Sequence, residues 1–561
     1  MSNSLRFLIT LILIIIAAAC VVIFGSDYFY NQSLNKDEEE LKIELLERAK
    51  KLNWGNEKVY AELGKIYFDL GLESLGRDEN ASDFLKKSVD YLAQALRINP
   101  FNHIYQLNYS QSLQYWETYT GSAPTQENLL ERYKKAAALS GDNIDVLYET
   151  SKVLMTQWKA ISPDERQYMI NVLQGILEGR RTDRLNELLN IWILNSGDYE
   201  VMSQIIPDNS NYLRRYAKFL GERSLSLEER RKVLARSEYW DFIVAKQEYG
   251  LGESSLQFLR IEEAQKHLGS SRRLLQNIKF YQDLSGDEYI DQKEYQSLWY
   301  LSGLNLAKAK LEDGAGLDEV EQDILDYVGF ESSVQDLDRL KSYLQAKGVI
   351  EKSPEDSFND LDKTAFHLTL LFHQTRYRDI IQVGKTIEQS LVVPEEKKDA
   401  FIKILLLVGD SYKKTDYVYN ALEMYQRAYE LDGSNLRVLE SLRQNYEWLN
   451  RAEDVKEVEQ EIESLLADKR MDLSSRKIAK GRDFTQRMLL RGEQVKITLA
   501  FSWTQQANPP LVSILFNGRL KWEDYLDSPE VTIVCDSNMG MNYLTVSPVN
   551  SDILFDAVDW E

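Results

Sequence analysis

Near the C-terminal end of a long helical region, small and large residues keep a fixed spacing that few folds can satisfy. Leu405, Val408, Gly409, Tyr412, Ala421, Tyr425, Ala428 and Gly433 fall at positions 4, 7, 8, 11, 20, 24, 27 and 32 of one unit. The small residues suit points where two antiparallel helices cross closely, and the large ones fill the gaps between those crossings. A helix pair of this size cannot bury its apolar face alone, so the pattern implies a stacked array.

The spacing returns near the N-terminus. Leu63, Gly64 and Tyr67 match positions 7, 8 and 11, and Ser88, Leu92, Ala95 and Pro100 match 20, 24, 27 and 32. Between Tyr67 and Ser88 lies an insertion with Gly71, Gly76 and the polar run Arg77-Asp78-Glu79-Asn80, which predicts a long inter-helix loop. The next unit opens with Tyr109, Ser110 and Leu113 and closes with Leu129, Tyr133, Ala136 and Gly141, with Gly121, Ser122 and Pro124 breaking the helix between. A third start, Thr150, Ser151 and Leu154, is fainter. The pattern resembles the tetratricopeptide repeat (TPR), a helix-turn-helix of about 34 residues. In the centre the register blurs. Leu301, Gly303 and Leu306, then Leu368, Thr369, Phe372 and Ile381, look like degenerate units, while 214–236 and 260–284 read as amphipathic helix. Residues 53–468 are therefore expected to form one TPR-like α-α solenoid, regular near 53–156 and 400–465.

In TPR arrays the concave groove is lined from positions 2, 5, 9, 12 and 13 of the first helix. The resemblance places Lys58, Ala61, Lys65, Phe68 and Asp69 there, then Ile104, Leu107, Gln111, Gln114 and Tyr115. In the late repeat the same positions are Lys403, Leu406, Asp410, Lys413 and Lys414. Phe68 and Tyr115 are aromatics where packing does not demand them, which makes them candidate anchors for a partner peptide or helix, unless another segment of the chain covers them.

Ahead of the solenoid, residues 7–24 are apolar but for one Thr, close to the roughly 20 residues needed to cross a bilayer. Arg6 precedes the run, while Asp27 and then Asp37-Glu38-Glu39-Glu40 follow it, so the amino terminus is expected in the cytoplasm and the bulk outside. Ala17-Ala18-Ala19 also fits a cleavage site, and Ala19-Cys20 a lipidation site. Val21-Val22-Ile23-Phe24 continues the apolar run past both, which favours an uncleaved signal anchor over residues 1–26 followed by a juxtamembrane helix over 27–52.

The chain carries 67 basic against 89 acidic residues, a net charge of -22. Nucleic-acid binding needs a basic footprint, and this balance lacks one. Cys20 and Cys535 sit far apart, one in the apolar span and one in the last domain, so no disulfide framework is expected.

A polar linker over 469–482 ends the helical periodicity, and 483–561 reads as strands. Met488-Leu489-Leu490 and Val495–Phe501 come first; Leu511–Phe516 then ends in Asn517-Gly518, a strong hairpin signal. Val531–Cys535, Asn542–Val546 and Ile553–Phe555 complete a small antiparallel β-sandwich. The Pro510–Gly518 segment and Gly540-Met541-Asn542-Tyr543-Leu544 resemble jelly-roll modules of carbohydrate-binding and polysaccharide-associated proteins. Trp503, Trp522, Tyr525 and Trp560 would stack on sugar rings in such a module, or else cap the sandwich core.

Residues 283–294 resemble the calcium loop of an EF-hand, with Asp283, Ser285, Asp287, the Tyr289 carbonyl, Asp291 and Glu294 at the ligand positions. Glu288 stands where Gly normally permits the sharp turn, and Ser285 replaces a carboxylate. The same residues also fit an acidic loop whose Asp side chains cap the next helix. Of four histidines, His367 and His373 are six apart and do not share a helix face. Gly250-Leu251-Gly252 and Gly314-Ala315-Gly316 lack the third glycine and the lysine of phosphate loops. No catalytic motif argues for an enzyme. The arrangement is similar to membrane-anchored TPR accessory proteins of bacterial surface-polysaccharide or envelope systems. That resemblance implies inner-membrane location, envelope-protein partners held in the groove, and polysaccharide as an alternative ligand of the sandwich.

Overall fold

The computed structural model describes residues 3–560 apart from 76–79, 122–125, 142, 180–182, 286–288, 331–332, 355–359, 388–394, 467–469, 493 and 504–508. It divides into two compact units, Met1–Pro207 and Asp208–Glu561. The first holds α1 (Asn3–Leu34), α2 (Glu39–Leu52), α3 (Glu57–Glu73), α4 (Ala81–Ile98), α5 (His103–Tyr119), α6 (Gln126–Ser140), α7 (Ile144–Thr156), α8 (Pro163–Glu178), α9 (Asp183–Asn195) and α10 (Tyr199–Ile205). The second begins with α11 (Ser210–Glu222), α12 (Leu227–Gln257), α13 (Ile261–Gln276), α14 (Gln282–Ser285), α15 (Gln292–Glu312), α16 (Glu321–Gly329) and α17 (Val334–Ala346). It continues with α18 (Leu361–His373), α19 (Tyr377–Ile387), α20 (Lys398–Lys414), α21 (Val418–Leu431), α22 (Leu436–Trp448) and α23 (Ala452–Leu465).

The helices pair in TPR fashion, and the small residues sit at the crossings. A Cβ on Gly64 would lie 2.5 Å from Leu92, and one on Gly409 would lie 2.5 Å from the Tyr425 ring. Ser88 Oγ donates to Gly64 O at 2.7 Å and meets Ser112 Oγ at 2.8 Å, which carries the close packing from α3 through α4 to α5. Asparagine sets many helix starts: Asn102, Asn143 and Asn435 each accept two backbone N–H groups at the N-caps of α5, α7 and α22.

Sequence expectation and structure part at several joints. Part of the insertion after Tyr67 is helical, since α3 runs on to Glu73 with Gly71 packed against Leu85 and α4 begins at Ala81. Gly76, Arg77, Asp78 and Glu79 lie outside the described residues. The amphipathic segment 214–236 is two helices, broken at Ser224, whose φ is 52°. Residues 27–52 are two segments as well, because α1 runs on to Leu34 before α2 begins.

The linker expected at 469–482 contains a strand. The sandwich comprises β1 (Arg470–Ile478), β2 (Phe484–Arg491), β3 (Gln494–Ser502), β4 (Leu511–Phe516), β5 (Arg519–Tyr525), β6 (Glu530–Asp536), β7 (Met539–Pro548) and β8 (Ile553–Trp560). Two antiparallel sheets, ordered β1-β8-β3-β6 and β2-β7-β4-β5, enclose a core that includes Ile497, Phe501, Phe516, Leu544 and Phe555. Asn517 and Gly518 join β4 to β5 with φ of 50° and 79°, the left-handed pair that a type I′ hairpin requires.

The glycine at the α20–α21 crossing has a direct test. Tyr425 is fully buried and its hydroxyl donates to Asp410, so the ring cannot yield to a new methyl group. Gly409→Ala should destabilise the second unit by about 1–3 kcal/mol in urea unfolding. Gly250→Ala, where a Cβ meets open space within α12, should instead stabilise it by about 0.5–1 kcal/mol.

Candidate functional site

In the first unit, alternate helices α3, α5, α7 and α9 contribute a continuous row of side chains. Phe68 and Tyr115 meet edge to face, ring centres 5.4 Å apart, with Tyr115 exposed. Gln111 donates to Glu149 at 3.3 Å; Lys152 pairs with Glu149 at 2.9 Å and Glu187 at 2.6 Å; Tyr148 donates to Glu187 at 2.7 Å. Burial pushes Glu187 up, but hydrogen bonds from Lys152 and Tyr148 outweigh it and hold the carboxyl below the usual range. Lys58, Asp69 and Ile104 are exposed, whereas Ala61 and Leu107 are buried in helix packing. The row therefore offers an aromatic edge beside a hydrogen-bonded ladder in which one ammonium, Lys152, bridges two carboxylates, Glu149 and Glu187.

The late-repeat positions are occupied within the second unit itself. Asp410 accepts from Tyr425 at 2.7 Å, Lys403 reaches Glu321 at 3.4 Å, and Lys413 donates to Gln444 at 3.1 Å. Leu406 is buried. These side chains are structural partners as well as groove candidates.

Among the described residues the sandwich touches the helical part of the second unit at several points, including Lys480 on Glu222 at 3.3 Å and Asn550 on Ser224 at 3.2 Å, and two of them centre on buried or forked charges. At one, Glu523 of β5 lies with no exposed side-chain surface against Arg230 of α12. Its other carboxylate oxygen accepts from Ser513 at 2.5 Å and Tyr281 at 3.2 Å, while Arg231 donates to its backbone carbonyl. Leu520 N donates to Lys279 O at 2.9 Å, so the strand extends its pairing onto the loop before α14. That loop is held in turn by Glu238, whose carboxylate takes the backbone N–H of Lys279 at 2.5 Å and of Tyr281 at 2.8 Å; burial raises its pKa to about 7. Leu515 and Leu520 pack with Ala235 and Tyr281. At the other place, Arg491 of β2 forks across Glu459 of α23 at 2.7 and 3.1 Å and reaches Glu440 of α22 at 2.5 Å.

The sandwich aromatics are engaged. Trp503, Trp522 and Trp560 are half-buried against its core, and the Tyr525 hydroxyl donates to Leu225 O at 3.4 Å. In the 283–294 segment, Asp283 and Ser285 belong to α14, and Asp291 caps α15 by accepting from Lys293 N at 2.7 Å and Glu294 N at 3.2 Å. Glu294 pairs with Lys246 at 2.5 Å, Tyr289 is exposed, and Asp287 lies outside the described residues. Among the described residues no three His, Cys, Asp or Glu side chains converge as a cation would require. Sequence reading missed the Arg230–Glu523 contact. Its one local signal was β4, where Leu511–Phe516 is apolar almost without alternation, as a strand covered on both faces should be.

The chain matches no known protein-family profile and no curated protein. Among solved structures it is similar to Naa15/Naa10 bound to HypK-THB (14% identity, 79% of this chain, 64% of that one, TM-score 0.23). It is also similar to the yeast Tom70 (14%, 80% and 91%, TM-score 0.22) and the P58(IPK) TPR domain (12%, 72% and 92%, TM-score 0.17). The chain thus spans just under two thirds of the Naa15/Naa10 chain. At such scores the TPR-like assignment rests on the helix pairs and their glycine crossings.

His367 supplies a pH test of the second unit. It is fully buried in α18, neither ring nitrogen has a hydrogen-bond partner among the described residues, and burial, helped by Lys341 and Arg376, pushes its pKa down to about 4. The unfolded chain then binds more protons than the folded one between the ordinary histidine value and about 4, so stability falls as pH falls through that window. At about 1.4 kcal/mol per pH unit the loss is on the order of 3 kcal/mol. His367→Leu should flatten this part of the stability profile measured by urea unfolding from pH 7 to 4.

Proposed function

We propose that the protein is a membrane-anchored TPR-like scaffold that holds protein partners on the extracytoplasmic side of a bacterial inner membrane, in envelope or surface-polysaccharide assembly. The observation that carries the reading is the aromatic edge made by exposed Tyr115 on half-buried Phe68, beside the Gln111–Glu149–Lys152–Glu187 ladder. An aromatic pair that leaves area exposed next to satisfied charges is what a peptide or helix anchor needs. The anchor reading is supported by α1, whose side chains from Ile9 to Phe24 are exposed and, Thr10 apart, apolar around the helix. The basic-before, acidic-after charge pattern supports an N-terminus in the cytoplasm.

Glycan binding by the sandwich is the weaker reading. Its candidate stacking residues are half-buried against the core or bonded to the helices, which leaves less free aromatic face for a sugar ring.

Phe68→Ala combined with Tyr115→Ala should weaken partner binding by about 2 kcal/mol or more and leave the melting temperature nearly unchanged. Crosslinked capture from native membranes reads the first quantity, and thermal unfolding of the purified chain reads the second. Undiminished capture of the same partners would refute the groove.

A further inference from the structure

The turns at one edge of the first unit carry exposed aromatic and aliphatic residues where polar turn residues are the norm. Trp54, between α2 and α3, is 82% exposed, and Phe101, between α4 and α5, is 76% exposed. Leu52 and Ile98 beside them, and Ile144 at the start of α7, are exposed too. Leu52 packs in part against Gly25 of α1, but the high exposure of Trp54 and Phe101 is not what internal packing produces.

Their level relative to α1 can be read from contacts. The unbroken exposed apolar stretch of α1 ends at Phe24; beyond it packed positions alternate with exposed ones, Gly25 being half-buried and Ser26 fully buried while Asp27 and Tyr28 are exposed. A Cβ on Gly25 would lie 3.2 Å from Leu52, and Asn56 donates to Ser26 Oγ at 3.4 Å and Asp27 Oδ1 at 3.1 Å. Trp54 lies between those two contact points in sequence, so the α2–α3 turn stands where α1 turns from lipid-like to packed. The antiparallel register of α3 and α4, with Gly71 on Leu85 and Gly64 on Leu92, carries that level across: continued by seven residues, the same register sets the start of α3 at Glu57 level with Asn99 at the end of α4. The α4–α5 turn with Phe101 is therefore level with Trp54. Asn143 and His103, joined at 3.2 Å, bring the α6–α7 turn to the same edge. The opposite turn of the α1–α2 pair is polar, Asn35-Lys36-Asp37-Glu38.

We propose that this edge rests on the bilayer, with Trp54 and Phe101 seated among the lipid headgroups and acyl-chain ends. The inference rests on the reading of α1 as a membrane span. A span of residues 7–24 leaves the hydrocarbon at Phe24 and sets the headgroup layer at the level of Gly25 and Trp54. Tryptophan and phenylalanine suit that layer, having an apolar body for lipid, and exposed Lys51, Lys58 and Arg97 supply cations for phosphate groups. A protein partner on this edge would have to displace a bilayer that the covalent link to α1 keeps at contact distance. Lipid contact at several turns fixes the tilt of the first unit, which a single-span tether would leave free.

The test uses the full chain reconstituted in phosphatidylcholine vesicles. An environment-sensitive fluorophore is placed on Ile14→Cys, Phe101→Cys or Lys36→Cys, each in a Cys20→Ser background; Cys535 is buried and unreactive. In parallel, tryptophan emission of the native chain and of Trp54→Phe is compared in vesicles with brominated acyl chains. Labels at 14 and 101 should be quenched by spin-labelled lipid and the label at 36 should not. Bromine should remove an emission component that Trp54→Phe lacks. No quenching at 14 would overturn the membrane span itself. Quenching at 14 with none at 101 and no Trp54 component, or equal quenching at 36, would overturn the edge contact alone.

Discussion

The second unit depends on how one carboxylate is buried. Glu523 has no solvent-exposed side-chain surface, and leaving such a charge without partners would cost several kcal/mol. It is satisfied from both sides: Ser513 of the sandwich on one, Arg230 and Tyr281 of the helical region on the other. Removal of either charged partner strands the other, so the sandwich is bound into the helical region and does not hang as a free module on a tether. The Arg491 fork on Glu459 repeats the device at α22 and α23. The strands thus contact the second unit near both ends of its helical run.

This arrangement shapes the functional reading. Side chains of the late helices that would line a groove are largely spent on internal pairs, as Asp410 with Tyr425 illustrates. In the first unit the equivalent row keeps Tyr115 exposed against half-buried Phe68, Gln111 of α5 bonds to Glu149 of α7, and Lys152 of α7 bridges Glu149 and Glu187 of α9.

Local spacing was the legible part of the fold. Gly409 and Tyr425 announce a close crossing because residue size and helical phase together leave few other packings, and Asn517-Gly518 announces a hairpin because both need positive φ. β1 was missed because Arg470–Ile478 is too polar to alternate visibly, and it forms by pairing with β8 at the far end of the domain. Arg230 and Glu523 are 293 residues apart, so neither segment carries a mark of the other. The uniform apolar run of β4 was the available clue that a second covered face existed. Asp291 shows the converse limit: the residue that fits a calcium-loop position also makes the N-cap of α15, and spacing alone cannot separate the two.

The central claim, that the sandwich and the helical region of the second unit are one cooperative body joined at Glu523, is tested most directly by a double-mutant cycle. Urea unfolding of the full chain would be followed for Glu523→Leu, Arg230→Met and the double variant. Each single change should cost about 3–5 kcal/mol, because it leaves the other charge buried without its partner. The double variant should recover much of that loss, with helical and strand signals still unfolding together. Single changes within about 0.5 kcal/mol of the native chain, or a sandwich transition that separates from the helical one without any mutation, would contradict the account.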